Sequence, residues 1–141
     1  EEKDPMLTLA VFKEIRAAGV DATLTMLGAG TFEQQLKTAS EGHSIEFPGW
    51  QDATLYLGRA DVVLCTSVHE SYGASIIEAL AAGVPVVAPD VGVAKEAGAI
   101  VVPPSALAEA TIRVLQTGER GVLKMSLLTA EAWARQWRES L

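Results

Sequence analysis

Two glutamates, Glu70 and Glu78, bracket a Tyr72-Gly73 turn within the stretch HESYGASIIEALAAGVPVVAPD at 69–90. The spacing puts one carboxylate in a loop and the other on the first turns of a helix. Ionised carboxylates only accept hydrogen bonds, so such a pair suits hydroxyl donors, those of a sugar or a ribose. Gly73 lets the backbone come close to a ligand, and the amides of Tyr72 to Ser75 would open the helix. A helix N-terminus carries partial positive charge and free N–H groups, which suits a phosphate or diphosphate. Amides for phosphates beside carboxylates for hydroxyls describe a nucleotide-sugar site. A charged, solvated helix start is the alternative, and local physics leaves both open.

The elements that must position these residues alternate along the chain. Asp4-Pro5 signals a helix start, and Leu7, Val11, Phe12 and Ile15 recur at helical spacing until Gly19. ATLTMLG (22–28) reads as a buried strand, Gly28-Ala29-Gly30 as a turn, and Thr31 as the cap of a helix TFEQQLKTAS whose Phe32, Leu36 and Ala39 share a face. SIEFPG (44–49) is a strand, QDATLYLGRA a short helix, and VVLC (62–65) a strand covered on both faces. A helix over 74–82 turns Ile76, Ile77, Leu80 and Ala81 inward and ends at Gly83. VPVVAP and AIVVP (99–103) are further strands, separated by a helical turn at 94–97. A helix over 105–117 carries Leu107, Ala110, Ile112, Val114 and Leu115, and 119–139 reads as helical with Trp133 and Trp137 on one face.

Apolar strands alternating with helices predict an α/β domain: a Rossmann-like, doubly wound parallel sheet with helices on both faces. Ligands bind beyond the carboxyl ends of such strands, so the loops at 28–31, 66–75 and 89–95 carry the chemistry. Gly28 and Gly30 lack the third glycine of a dinucleotide fingerprint and read first as a tight turn, with a base against their backbone as the other option. Thr66 and Ser67 sit in no nucleophile-elbow pattern. His69 and His43 have no partners at metal-ligand spacing, so no metal site is expected. Lys3 alone is a solvated charge; beside a diphosphate it becomes a candidate cation.

Composition agrees with a folded domain. The 141 residues are 49% hydrophobic and 21% charged, enough for one domain with its own core. A net charge of -7 argues against non-specific nucleic-acid binding. The lone Cys65 excludes an internal disulfide and fits a reducing, cytoplasmic setting. No apolar run reaches the ~18 residues that would span a bilayer. The opening EEKDP has no initiator Met and the first helix has no strand before it, so the single domain at 1–141 is expected to be a fragment.

The block ESYGASIIEALAAGVPVVA (70–88) resembles the Glu-x7-Glu signature of group 1 (family 4) retaining glycosyltransferases. ADVVLCTS (60–67), LGAG, FPG and EKDPML (2–7) match that family in order and spacing, so the resemblance covers nearly the whole chain. It implies the C-terminal, donor-binding half of a two-domain GT-B enzyme, with the acceptor-binding N-terminal domain elsewhere. The resemblance assigns Glu70 to the transferred sugar and Glu78 to the ribose. It assigns the turn Ser71, Tyr72, Gly73, Ala74, on to Ser75, to sugar and diphosphate, and Lys3 to the diphosphate. The Arg that would accompany Lys3 falls before residue 1. It implies a nucleotide-diphosphate sugar as donor substrate, no cofactor and no bound metal, and transfer with retention at the anomeric carbon. Any peripheral membrane association would belong to the full-length enzyme. The family's glycine pair appears here as Gly92-Val93, and the stretch from Glu96 to Ile100 looks shortened. A sugar-nucleotide epimerase of the same architecture and a non-catalytic binding or scaffold module are the alternatives.

Overall fold

The computed structural model describes residues 2–140. The first helix, α1 (Pro5–Ala17), starts where the sequence signals it. Asp4 takes the N-cap position in a left-handed conformation (φ 40°), and its carboxylate accepts from the Leu7 amide at 3.1 Å. Such a φ is strained for a non-glycine residue, and the capping bond offsets that strain. Then follow β1 (Leu24–Leu27), α2 (Glu33–Ala39), β2 (Ile45–Gly49), α3 (Thr54–Leu57), β3 (Val63–Leu64), α4 (Ala74–Ala81), β4 (Val86–Ala88), α5 (Ala94–Ala97) and β5 (Ile100–Val101). A single 3-10 turn (Pro104–Ala106) leads into α6 (Leu107–Thr117), and α7 (Ala130–Glu139) closes the chain.

All strand pairs are parallel, as the apolar strands and intervening helices require. The pairing forms two ladders rather than one continuous sheet: β1–β2, and β3–β4–β5. Among the described residues β3 therefore has one edge without a strand partner. Beyond its carboxyl end the backbone just ahead of α1 lies alongside, the Val68 amide donating to the Glu2 carbonyl at 2.7 Å.

The core sits around the three-stranded ladder. On one side α4 contributes Ile76, Ile77, Ala79 and Leu80, packed with Val84, Val86 and Ala88. On the other, Val11 and Ile15 of α1 meet Leu107, Ala110 and Val114 of α6 across Val87. Full burial of an aliphatic side chain contributes about 1.5–3 kcal/mol, which makes this ladder the stable frame for the loops at its carboxyl end.

Several expectations are corrected in detail. Thr31 does not cap α2; Phe32 takes the N-cap position and makes no side-chain capping bond. Ala81 is exposed, and Ala79 takes its place on the inner face of α4. The 119–129 segment is not helical: Gly118 ends α6 with φ 64°, and an extended strap crosses the domain before α7 begins. In the strap the Gly121 amide donates to the Gly83 carbonyl at 3.0 Å and the Lys124 amide to the Ala97 carbonyl at 2.9 Å. Leu123 and Met125 pack onto the α4 side of the core. Trp133 and Trp137 share a face of α7 as expected and stack on each other, centroids 5.9 Å apart, at 57% and 56% exposure.

The strap owes its closeness to a missing side chain. A carbon at position 121 would overlap the Val84 carbonyl and stand 2.7 Å from the Pro85 nitrogen. Gly121→Ala is expected to lower stability by about 1–3 kcal/mol through overpacking, read as a shifted denaturation midpoint with unchanged slope.

Candidate functional site

β3 carries the chain to Cys65, whose amide still pairs with the Val87 carbonyl at 2.9 Å. The next two residues, Thr66 and Ser67, are polar yet buried, at 4% and 3% exposure. Buried hydroxyls need partners, and both have them. Thr66 Oγ1 lies 3.0 Å from the Lys3 and Asp4 carbonyl oxygens and 2.7 Å from the Thr8 hydroxyl. With the Val68–Glu2 bond, these contacts fasten residues 2–4 against the loop that follows β3.

That clamp brings Lys3 to Glu70. The Lys3 ammonium donates to Glu70 Oε1, and the Ser67 hydroxyl donates to the same oxygen at 2.7 Å. The Glu70 side chain is only 10% exposed, whereas Lys3 is 67% exposed. Burial pushes the Glu70 carboxyl up, and it is the largest single influence. The bonds from Lys3 and Ser67, with the charges of Lys3 and His69, outweigh it and hold the group below the usual glutamate range. Glu70 is thus a pre-aligned anion at the mouth of the ladder.

Gly73 is buried and left-handed (φ 98°, ψ 49°), and it occupies the N-cap position of α4 with no side-chain capping bond. A β-carbon there would meet Ile76 Cδ1 at 3.3 Å, so both the backbone angle and the space favour glycine. Ser71, Tyr72, Ala74 and Ser75 are exposed around it. Glu78 is also exposed, four residues after Ala74 and so on the same helix face. The loop at 89–93 closes the other flank, the Val93 amide donating to the Tyr72 carbonyl at 2.9 Å.

The structure therefore brings together Lys3, Glu70, Gly73 and the start of α4, with Glu78 one turn further on. Gly28 and Gly30 lie at the end of the other ladder, where the Gly28 amide donates to the Gly49 carbonyl at 2.7 Å. No hydrogen bond joins that turn to the 66–75 loop among the described residues. None of the described residues forms a group of three or more His, Cys, Asp or Glu suited to a metal ion. No described helix is long and apolar enough to cross a membrane.

Residues 1–117 match the family model described as glycosyl transferases group 1. The chain belongs to that family. Over 74 residues, half of this chain, it is 36% identical to a GDP-mannose-dependent alpha-(1-6)-phosphatidylinositol dimannoside mannosyltransferase from Mycobacterium tuberculosis. The matched stretch spans 19% of that relative's length. Among solved structures, the sucrose-phosphate synthase of Thermosynechococcus elongatus is 26% identical with a TM-score of 0.69, over 83% of this chain and 34% of that one. Staphylococcus aureus TarM in complex with UDP reaches a TM-score of 0.74 at 18% identity, over 82% of this chain and 26% of that one. The latter likeness concerns the fold, which is that of GT-B glycosyltransferases. Membership of glycosyl transferases group 1 favours the transferase reading over the epimerase and scaffold alternatives.

Two members of the site were not singled out from sequence as part of it. Ser67 is the hydroxyl that orients Glu70; its position three residues ahead of a loop carboxylate was the available signal. Gly92 lies on the turn after β4, against Glu70 and Tyr72, and only its φ of +50° and its neighbours reveal this.

Loss of the Ser67 donor should raise the Glu70 pKa, so carboxyl NMR of Ser67→Ala is expected to show the titration moved upward. The sign for stability follows from the lowered folded value. The Glu70 contribution is fully present above the ordinary carboxylate range and is lost as pH falls through the lowered value. Thermal unfolding should accordingly show native protein and Ser67→Ala converging as the medium is acidified through that window.

Proposed function

We propose that this chain is the donor-binding domain of a retaining glycosyltransferase that takes its sugar from a nucleotide-diphosphate sugar. The observation that carries the reading is the ionised Glu70, held by Lys3 and Ser67 beside the uncapped start of α4. In this reading Glu70 accepts from a hydroxyl of the transferred sugar and Glu78 from the ribose. The amides of Ser71 to Ser75 receive the diphosphate, with Lys3 as its cation. Gly28 and Gly30 lie against the nucleotide.

The chemistry follows from where charge develops. Cleavage of the bond between the anomeric carbon and the diphosphate leaves negative charge on the departing phosphates. Amides fixed at a helix start are positioned for that charge without reorganising. Donor binding then exchanges partners within the site: Lys3 turns from Glu70 to the diphosphate, and Glu70 turns to a sugar hydroxyl.

The chain spans about a fifth of the length of the curated relatives it matches, and transfer itself is proposed to need a further acceptor-binding domain. The relatives' name makes GDP-mannose the first donor to try.

Calorimetry of the full-length protein with GDP-mannose, UDP-glucose and ADP-glucose tests the reading. Binding of one of them should weaken about ten- to a hundredfold in Glu70→Gln, the loss of hydrogen bonds to a charged group. Glu78→Gln should weaken the free nucleoside diphosphate as well as its sugar conjugate, because its partner is the ribose. Absence of binding by any sugar nucleotide, or equal affinity in the Glu70 variant, would count against it.

A further inference from the structure

Gly92 stands directly across from the site, on the turn between β4 and α5, with φ +50°. A β-carbon there would overlap the Tyr72 carbonyl oxygen, stand 2.9 Å from the Tyr72 carbonyl carbon and 3.0 Å from Glu70 Cβ. The neighbouring Val93 amide donates to that same Tyr72 oxygen at 2.9 Å. The turn thus approaches the loop at the two points that matter: the root of the Glu70 side chain and the peptide unit leading into Gly73.

We propose that Gly92 is a positioning residue of the donor site, whose missing side chain lets the 89–93 turn close on the loop and set the aim of both Glu70 and the Tyr72–Gly73 peptide. The inference rests on the donor reading above. A trans peptide is planar with its carbonyl and N–H opposed. Holding the Tyr72 oxygen toward Val93 therefore points the Gly73 N–H away from the turn.

The two sides of this contact differ in freedom. Val91 and Ala94, which flank the turn, are buried at 9% and 0% exposure, whereas Ser71 and Tyr72 are exposed. A side chain at 92 therefore displaces the loop and not the turn. Glu70 would move off the Ser67 hydroxyl, and the Tyr72–Gly73 peptide would rotate.

Gly118 supplies the control. It has a similar left-handed backbone, φ +64°, but nothing lies within 4 Å of a β-carbon built on it. Gly118→Ala carries the backbone strain of a left-handed alanine without any collision, so it separates general destabilisation from loop displacement.

The experiment compares the native full chain with Gly92→Ala and Gly118→Ala in two measurements. In ligand-free protein, hydrogen exchange at the Val93 amide, which donates to the Tyr72 carbonyl, should speed at least about tenfold in Gly92→Ala and stay near native in Gly118→Ala. In calorimetry, Gly92→Ala should weaken GDP-mannose more than GDP, because Glu70 is displaced as well as the amides. Gly118→Ala should leave the ratio of the two affinities unchanged. Exchange and affinity ratio in Gly92→Ala matching those of Gly118→Ala would overturn the proposal. If the native protein binds neither GDP nor GDP-mannose while exchange responds as stated, the donor reading with GDP-mannose falls and the control of the loop by Gly92 stands.

Discussion

Removing a carboxylate from water is unfavourable unless donors replace the water, and in this domain the donors come from two distant parts of the chain. Ser67 belongs to the same loop as Glu70. Lys3 arrives from ahead of α1, held in place by the buried Thr66 hydroxyl and by the Val68–Glu2 bond. The local arrangement around the start of α4 depends on this meeting. Without Thr66 the clamp on residues 2–4 weakens, Lys3 leaves, and Glu70 becomes a buried charge with a single hydroxyl. The α1 start is bound into the same arrangement, since Asp4 both caps the helix and offers its carbonyl to Thr66.

The apolar frame explains why the polar loop can be so definite. β3, β4 and β5 are short, but they are sandwiched between α4 on one side and α1 with α6 on the other. Two loops leave this frame at the carboxyl ends of β3 and β4, and they meet through the Val93–Tyr72 bond. One loop carries the charges and the other sets its position. The strap from Gly118 to Met125 covers the α4 side of the core, fastened by its amide bonds to Gly83 and Ala97.

Much of this was legible in the sequence because its signals are local. Asp4-Pro5 marked the start of α1, the apolar runs marked the parallel strands, and Gly73 marked the turn before α4. Glu70 and Glu78 were recognisable as a pair by their spacing, and the wider block at 70–88 carried the family likeness. The misreadings have two causes: local signals passed over, and long-range packing that local pattern does not report. In the strap, Leu123 and Met125 are half-buried while Val122 and Lys124 are exposed, an alternation of period two. That is the pattern of extended chain, and Gly118 with Gly121 already argued against a helix. The stacking of Trp133 on Trp137 away from the core was invisible because spacing alone does not say which surface a helix face meets. The split into two ladders, the ion pair of Lys3 with Glu70, and the collision that any side chain at 92 would cause all depend on residues far apart in the chain.

The central claim is that the loop around Gly73 is a donor site in which the sugar nucleotide replaces the internal Lys3–Glu70 pair. A crystal structure of the full-length protein soaked with GDP-mannose tests it most directly. The account predicts the diphosphate on the amides of Gly73 to Ser75 and on the Lys3 ammonium, with Glu70 turned onto a hydroxyl of the sugar. A sugar nucleotide bound elsewhere, with Lys3 and Glu70 still paired, would contradict it.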